Sequence, residues 1–261
     1  MKNSTSSDEK SNLEDAALFM KNSTSSDEKT NLEDAARGYE QVLQRKPDNE
    51  TALLGLITTR LQLIRLKGSN IKEVIEPLER LAKLKPKQTR YAVLLAQAKH
   101  QIGDREGAAQ VFRSVLENKP GDLDALQGMV ALLLDQKRPE AAIGLLQDTL
   151  NTAAQANKIQ PGSVDTVAVQ VLLGCVYDSQ KKYAQALNVY DRAIKNDKQD
   201  FRPVVAKAML LKKQGKTEEA KLLFTRAVAL APARYKDEIN KEAATSSSSV
   251  LSTTASPTPE G

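Results

Sequence analysis

The chain of 261 residues contains no tryptophan, only four phenylalanines and six tyrosines, one cysteine and one histidine. A single cysteine, Cys175, excludes an internal disulfide and any multi-cysteine metal site. A single histidine, His100, means that serine–histidine or cysteine–histidine catalysis would have to run through that one side chain. No segment approaches the roughly 18 consecutive apolar residues of a membrane helix. The greasiest stretch, Leu53–Leu66, is interrupted by Arg60 and Arg65. The leading residues lack the basic-then-apolar order of a secretory signal. They are also too acidic for an organelle transit peptide, with four lysines against eight acids in residues 1–36.

What the chain does have is helix-forming composition. Alanine, leucine, glutamine and lysine dominate, and 40% of residues are hydrophobic. Breaks at Pro47-Asp-Asn, Lys67–Asn70, Lys85-Pro-Lys, Gly103-Asp, Lys119–Asp122, Gln136–Pro139, Pro161-Gly-Ser, Ser179–Lys182, Asn196-Asp-Lys, Gln214-Gly-Lys and Ala231-Pro cut residues 31–243 into segments of roughly 13–17. Each is long enough for a helix of three or four turns and too long for an ordinary strand. Short turns between such helices predict antiparallel neighbours.

A beat runs through these segments. Ala108 and Ala142 are 34 residues apart, as are Ala186 and Ala220, and four residues after each stands Phe112, Leu146, Tyr190 or Phe224. Small residues let two helix backbones approach, and a bulky side chain one turn later fills the adjoining gap. One such hairpin cannot bury its own apolar face, so hairpins must stack. The four bulky residues and Tyr177 are therefore expected in the core. The prediction is an all-α, right-handed superhelical array of about five antiparallel helix pairs over residues 31–243. A lone helix at Leu32–Gln44, capped by Asn31, should precede it, and a polar helix at Arg234–Ala243 should close it. There Tyr235 and Ile239, four apart, can pack back on the last pair.

Both ends differ in composition. Met1–Ala17 recurs as Met20–Ala36 with only Ser11 changed, to Thr30, and this polar duplicated segment is expected to be disordered over residues 1–30. Residues 244–261 form a Ser/Thr/Pro-rich tail, also expected to be disordered. Charge is uneven as well. Lys195–Lys241 holds twelve basic and six acidic residues within a net charge of +5. A solvated lysine-rich surface accounts for this, because the aromatic interleaving of nucleic-acid modules is missing.

At these residues the chain resembles the tetratricopeptide repeat family. The last unit carries Ala208, Gly215, Ala220, Phe224, Ala227 and Pro232 at the family's spacing, and the preceding one carries Leu173, Gly174, Tyr177, Ala186, Tyr190 and Ala193. Departures locate insertions: about five extra residues near Lys67–Asn70 and about ten within Ala153–Gly162. Val74 stands where alanine is usual, which predicts looser packing. The resemblance implies a protein-binding scaffold, not an enzyme, with no cofactor and no metal. It implies a peptide or helical segment held in the groove lined by the first helix of each pair. Carried over residue by residue, the groove positions include Arg90, Gln97, His100 and Gln101; Asp124, Gln127 and Asp135; Asp178; and Arg202, Met209, Lys212 and Lys213. Leu94 and Gly128 occupy positions where a carboxylate clamp needs asparagine, so capture of a chaperone tail is disfavoured.

In this frame His100 is a solvated groove residue and Cys175 a small packed thiol beside Gly174. Gly215-Lys216-Thr217 ends like a phosphate-binding loop, but Leu210 stands where its first glycine belongs and no strand precedes it. Gly215 is better read as a helix C-cap. Two other functions stay open at this point: a structural subunit that oligomerises through the convex face, and a nucleic-acid binder using the basic C-terminal repeats. The runs Arg105–Ala109, Arg138–Asp148 and Lys198–Pro203 resemble cyanobacterial and plastid tetratricopeptide proteins. That likeness implies the chloroplast stroma and a role in assembling multiprotein complexes there; without it the chain reads as cytoplasmic.

Overall fold

The computed structural model describes residues 26–67 and 70–245. The expectations for the duplicated leader up to residue 25 and for the tail beyond Thr245 lie outside the described residues. The described residues contain twelve α-helices and no strand. They divide into two compact units, which meet in sequence at Pro86 and Lys87.

The first unit holds α1 (Ser26–Arg45), α2 (Glu50–Lys67), a 3-10 turn (Ile71–Val74) and α3 (Ile75–Leu84). Helix α1 begins earlier than Asn31, so that residue lies inside the helix and does not cap it, and residues 26–30 of the expected disordered leader are helical. Tyr39 of α1 lies flat against Gly55 of α2, where an added Cβ would stand 2.3 Å from the ring. The insertion after α2 ends in the 3-10 turn, where the Lys72 N–H donates to the Asn70 side chain at 3.0 Å. Val74, where alanine is usual, is fully buried.

The second unit holds α4 (Thr89–Gln101), α5 (Arg105–Asn118), α6 (Leu123–Asp135), α7 (Pro139–Ile159), α8 (Thr166–Ser179), α9 (Tyr183–Asn196), α10 (Arg202–Lys213), α11 (Thr217–Leu230) and α12 (Ala233–Ala244). Consecutive helices pack as hairpins, and α4 also meets α6, as α8 meets α10 and α10 meets α12. With α2 and α3 this makes five pairs, one helix before them and one after. Ala108, Ala142, Ala186 and Ala220 are each no more than 1% exposed. Phe112, Leu146, Tyr190, Phe224 and Tyr177 are buried with them, so the bulky residues of the beat are core.

The turn inside each of the four pairs of the second unit repeats one geometry. Gly103, Lys137, Lys181 and Gly215 all have positive φ, between 57° and 85°. At each, two N–H groups reach back to carbonyls of the preceding helix, as Lys137 N–H does to Leu134 and Arg138 N–H to Leu133. This is the left-handed C-terminal stop that glycine adopts at no steric cost. The ten-residue insertion lengthens α7 to 21 residues. Its end is tied by Asn157, whose amide donates to the Val164 carbonyl and accepts from the Val164 N–H, both at 2.9 Å. The following turn presses on Gly121, where a Cβ would lie 2.1 Å from the Ser163 carbonyl oxygen.

Candidate functional site

Helix α8 starts at Asp165, whose carboxylate accepts from the Ala168 N–H at 3.0 Å and so satisfies a backbone donor the helix itself leaves open. Helix α10 starts at Arg202, and its guanidinium grips Asp165 at 2.6 Å and Asp200 at 2.5 Å. At the far ends of the same helices, Lys213 pairs with Asp178 at 2.8 Å. Two neighbouring first helices are thus fastened at both ends. The hydrogen bonds to Asp200 and Asp165 hold the Arg202 guanidinium above its ordinary range, despite burial that opposes them. Burial would push the Asp165 carboxyl up, but Arg202 and the Ala168 N–H outweigh it and hold the group below the usual carboxylate range.

Between the fasteners α8, α10 and α12 enclose a concavity of about 860 Å³. Val171, Val205 and Met209 give it an apolar floor; Asp178, Arg202, Lys212 and Lys213 stand around it; Glu242 and Thr245 close one wall. Met209 is 46% exposed, a large flexible apolar side chain held open to solvent. Cys175 opens onto the same floor and is exposed, which corrects the expectation of a packed thiol. The cause is its neighbour: Gly174 takes the buried position against the Tyr190 ring, and the next residue along the helix turns outward. Tyr190 Oη donates to Cys175 Sγ at 3.6 Å. Desolvation in the concave floor still pushes the thiol up from its ordinary value, the opposite of what a nucleophile needs.

Five of the twelve sequence-selected groove residues therefore converge here: Asp178, Arg202, Met209, Lys212 and Lys213. The others lie on α4 and α6. His100 Nε2 is 3.4 Å from Asp135 Oδ2, and Arg105 reaches the same carboxylate at 2.8 Å. The hydrogen bonds from Arg105 and then His100 hold the Asp135 carboxyl below its usual range. Arg90 folds its guanidinium over the Tyr91 ring at 4.6 Å and donates to that hydroxyl at 2.5 Å. Gln97, Gln101, Asp124 and Gln127 are exposed. Sequence reasoning missed Phe201, Glu242 and Thr245. Their one available signal was the Tyr235–Ile239 pair, which docks α12 by stacking Tyr235 on Phe201 at 5.2 Å and burying Ile239 to 4% exposure.

The arrangement can hold an extended or helical segment by its side chains, with apolar contact below and charge at the edges. Among the described residues no group of histidine, cysteine and carboxylate side chains is placed to hold a metal ion, and no helix is long and apolar enough to cross a membrane.

Comparison with known proteins is decisive for the family. The tetratricopeptide repeat model matches residues 57–233, well over half the chain. The protein belongs to the tetratricopeptide repeat family. Families of this fold are typically scaffolds and not catalysts. A curated relative, protein SLOW GREEN 1, chloroplastic, of Arabidopsis thaliana, is 28% identical over 209 residues, 77% of this chain. The match spans 65% of that relative's length. Among solved structures, yeast Tom70 aligns with a TM-score of 0.56 at 15% identity, over 87% of this chain and 44% of that one. A tetratricopeptide protein of Thermus thermophilus aligns with a TM-score of 0.45 at 18% identity, over 74% and 98%. The Tom70 likeness bears on the fold alone.

Proposed function

We propose that this protein is an interaction scaffold that captures a peptide or helical segment of a partner protein on the faces of its first helices, chiefly in the α8–α10–α12 concavity. The observation that carries this reading is the apolar floor, with Met209 nearly half exposed, set inside a ring of charge. A helix face that served only stacking would bury such a residue against its neighbour. In this reading Met209, Val205 and Val171 supply the burial. Lys212 orients acidic groups of the ligand, while Lys213 with Asp178 and Arg202 with Asp165 hold the two helices in register. The exposed Gln97, Gln101, Asp124 and Gln127 extend the surface along α4 and α6 with amide and carboxylate contacts. The place we favour is the chloroplast stroma, in the assembly of multiprotein complexes. Support comes from the plastid-like sequence runs and from a relative whose name records chloroplast residence.

The test is affinity purification from chloroplast stroma with three versions of the chain. Met209→Glu puts charge on the floor, and partner retention should fall by about tenfold or more, since a central apolar anchor commonly carries this much binding. Leu222→Glu, at a 74% exposed position of α11, should retain every partner. Equal recovery by wild type and Met209→Glu would discard the groove reading, and selective loss with Leu222→Glu would transfer the function to the other face.

A further inference from the structure

We infer that a second cavity, lined by α7, α8 and α9, takes a glutamate side chain of a partner protein, with Arg192 as its counter-charge. This cavity shares α8 with the concavity described above but no lining residue, so the two sites stand or fall separately.

Helix α8 packs on both α7 and α9, and the three enclose about 290 Å³. Leu173 and Val189, each 2% exposed, make its apolar base. Around them stand three amides, Gln147, Asn151 and Gln170, and one charged group, Arg192. No acid lines the cavity. Arg202 in the same unit is gripped by two carboxylates, whereas among the described residues the Arg192 guanidinium makes no ion pair and no hydrogen bond. Its neighbour Asp191 is engaged elsewhere, by Lys207. Two of the amides are half engaged. Gln147 Nε2 donates to Tyr177 Oη at 3.2 Å, and Gln170 Oε1 accepts from Asn196 Nδ2 at 3.5 Å. The Gln170 NH2 and the whole Asn151 amide have no partner among the described residues.

A bare guanidinium beside unengaged amide N–H groups suits a ligand that accepts hydrogen bonds and carries negative charge. One cation balances one negative charge, which selects a carboxylate over a phosphate carrying nearly two. The base of the cavity decides between the two sources of a carboxylate. Glutamate brings two methylenes, which suit Leu173 and Val189. A chain end would instead set its own peptide N–H against that apolar surface, at a desolvation cost.

The experiment titrates the full chain with N-acetyl-glutamate amide, N-acetyl-alanine and neutral N-acetyl-glutamine amide at constant ionic strength. It follows the NMR signals of the Arg192 Nε–H and of the Asn151 and Gln170 side-chain NH2 groups. The glutamate probe should give saturable shifts with a Kd of the order of millimolar, as one charge-assisted contact allows. The glutamine probe should give none. Arg192→Gln, an exposed residue whose loss leaves the packing intact, should weaken binding about tenfold or more. Lys195→Gln, the next cation along α9 and outside the cavity, should leave the Kd within about twofold of wild type. Equal shifts with the glutamine probe, or equal weakening by Lys195→Gln and Arg192→Gln, would overturn the site by making the contact non-specific or a diffuse charge effect. Tighter saturation by N-acetyl-alanine would overturn the glutamate assignment in favour of a chain end. None of these results touches the groove, which the Met209→Glu chain judges separately.

Discussion

Helices α4 and α6 are fastened at both ends, by Thr89 Oγ1 donating to Asp122 at 2.6 Å and by His100 on Asp135, which Arg105 of α5 also reaches. Helices α8 and α10 are fastened at the same two places, by Arg202 on Asp165 and by Lys213 on Asp178. Between the fasteners the two regions part. The first presents exposed Gln97, Asp124 and Gln127, whereas the second presents Val171, Cys175, Val205 and Met209 around a concavity. The difference separates two jobs that the groove positions mix together. Charged residues at helix ends set the register between repeats, and residues in mid-helix decide what the surface can hold. The glycines differ in parallel. In the first region the Phe112 ring of α5 lies on Gly128 of α6, in the next repeat; in the second the Tyr190 ring of α9 lies on Gly174 of its own pair.

The largest effects should come from those glycines. A Cβ at Gly174 would stand 2.1 Å from the Tyr190 ring, and one at Gly128 would stand 2.3 Å from Phe112. Gly174→Val and Gly128→Val should each cost about 3 kcal/mol in urea unfolding, at the upper end of ordinary overpacking, because the ring behind each is buried. Adding Tyr190→Leu to Gly174→Val should recover part of that loss, with a coupling energy above about 1 kcal/mol. Purely additive losses would mean the ring is not the obstacle. A much smaller cost at Gly128 would show the contact between repeats to be looser than the contact within one.

A smaller effect is expected at the N-caps. Asp122 is 7% exposed and accepts from the Ala125 N–H and from Thr89, whereas Asp165 is exposed. Asp122→Ala should therefore cost about 2 kcal/mol and Asp165→Ala about 1. Burial would push the Asp122 carboxyl up, but the hydrogen bonds from Thr89, the Ala125 N–H and Lys119 hold it below the ordinary range. The folded state then binds its proton less readily than the unfolded state. The stabilisation is complete above the unfolded carboxylate pKa of about 3.9 and is lost as pH falls through the depressed folded value. Urea midpoints of wild type and Asp122→Ala should differ at pH 7 and converge toward pH 2. A gap that persists at pH 2 would assign the effect to packing and not to the carboxylate.

The repeat itself was legible because it depends on residue size at a fixed spacing. Ala186 with Tyr190, and Ala220 with Phe224, can be read without coordinates, since only small residues permit the crossing. Gly215 was legible as a stop for the same kind of reason, the backbone conformation that glycine alone adopts freely. The start of α1 was not, because Asn31 is as competent inside a helix as in front of one when tertiary contacts decide. The floor of the site was only half legible. Spacing put Met209 on the first-helix face, but Cys175 read as packed beside Gly174, and whether its thiol packs or opens depends on which neighbour the Tyr190 ring chooses. The wall made by Glu242 and Thr245 was illegible, because it depends on the angle at which α12 docks through Tyr235 and Ile239.

The smallest effect concerns the turns, where each region holds one glycine and one lysine in the same conformation: Gly103 and Lys137 in the first, Lys181 and Gly215 in the second. A lysine at φ 57° carries a steric cost of about 1–2 kcal/mol from its Cβ. Glycine removes that cost but loses about 0.5–1 kcal/mol of extra backbone entropy on folding. The balance predicts that Lys137→Gly and Lys181→Gly each stabilise by about 0.5–1 kcal/mol, a rise of about 1–4 °C in Tm for a protein of this size. The hydrogen bonds at both turns run from the backbone, from Lys137 N–H to Leu134 and Lys181 N–H to Asp178, so neither change removes one. A gain at Lys137 with a loss at Lys181 would show that the second turn uses its side chain for something the first does not, and would place a further difference between the two regions at the edge of the α8 face.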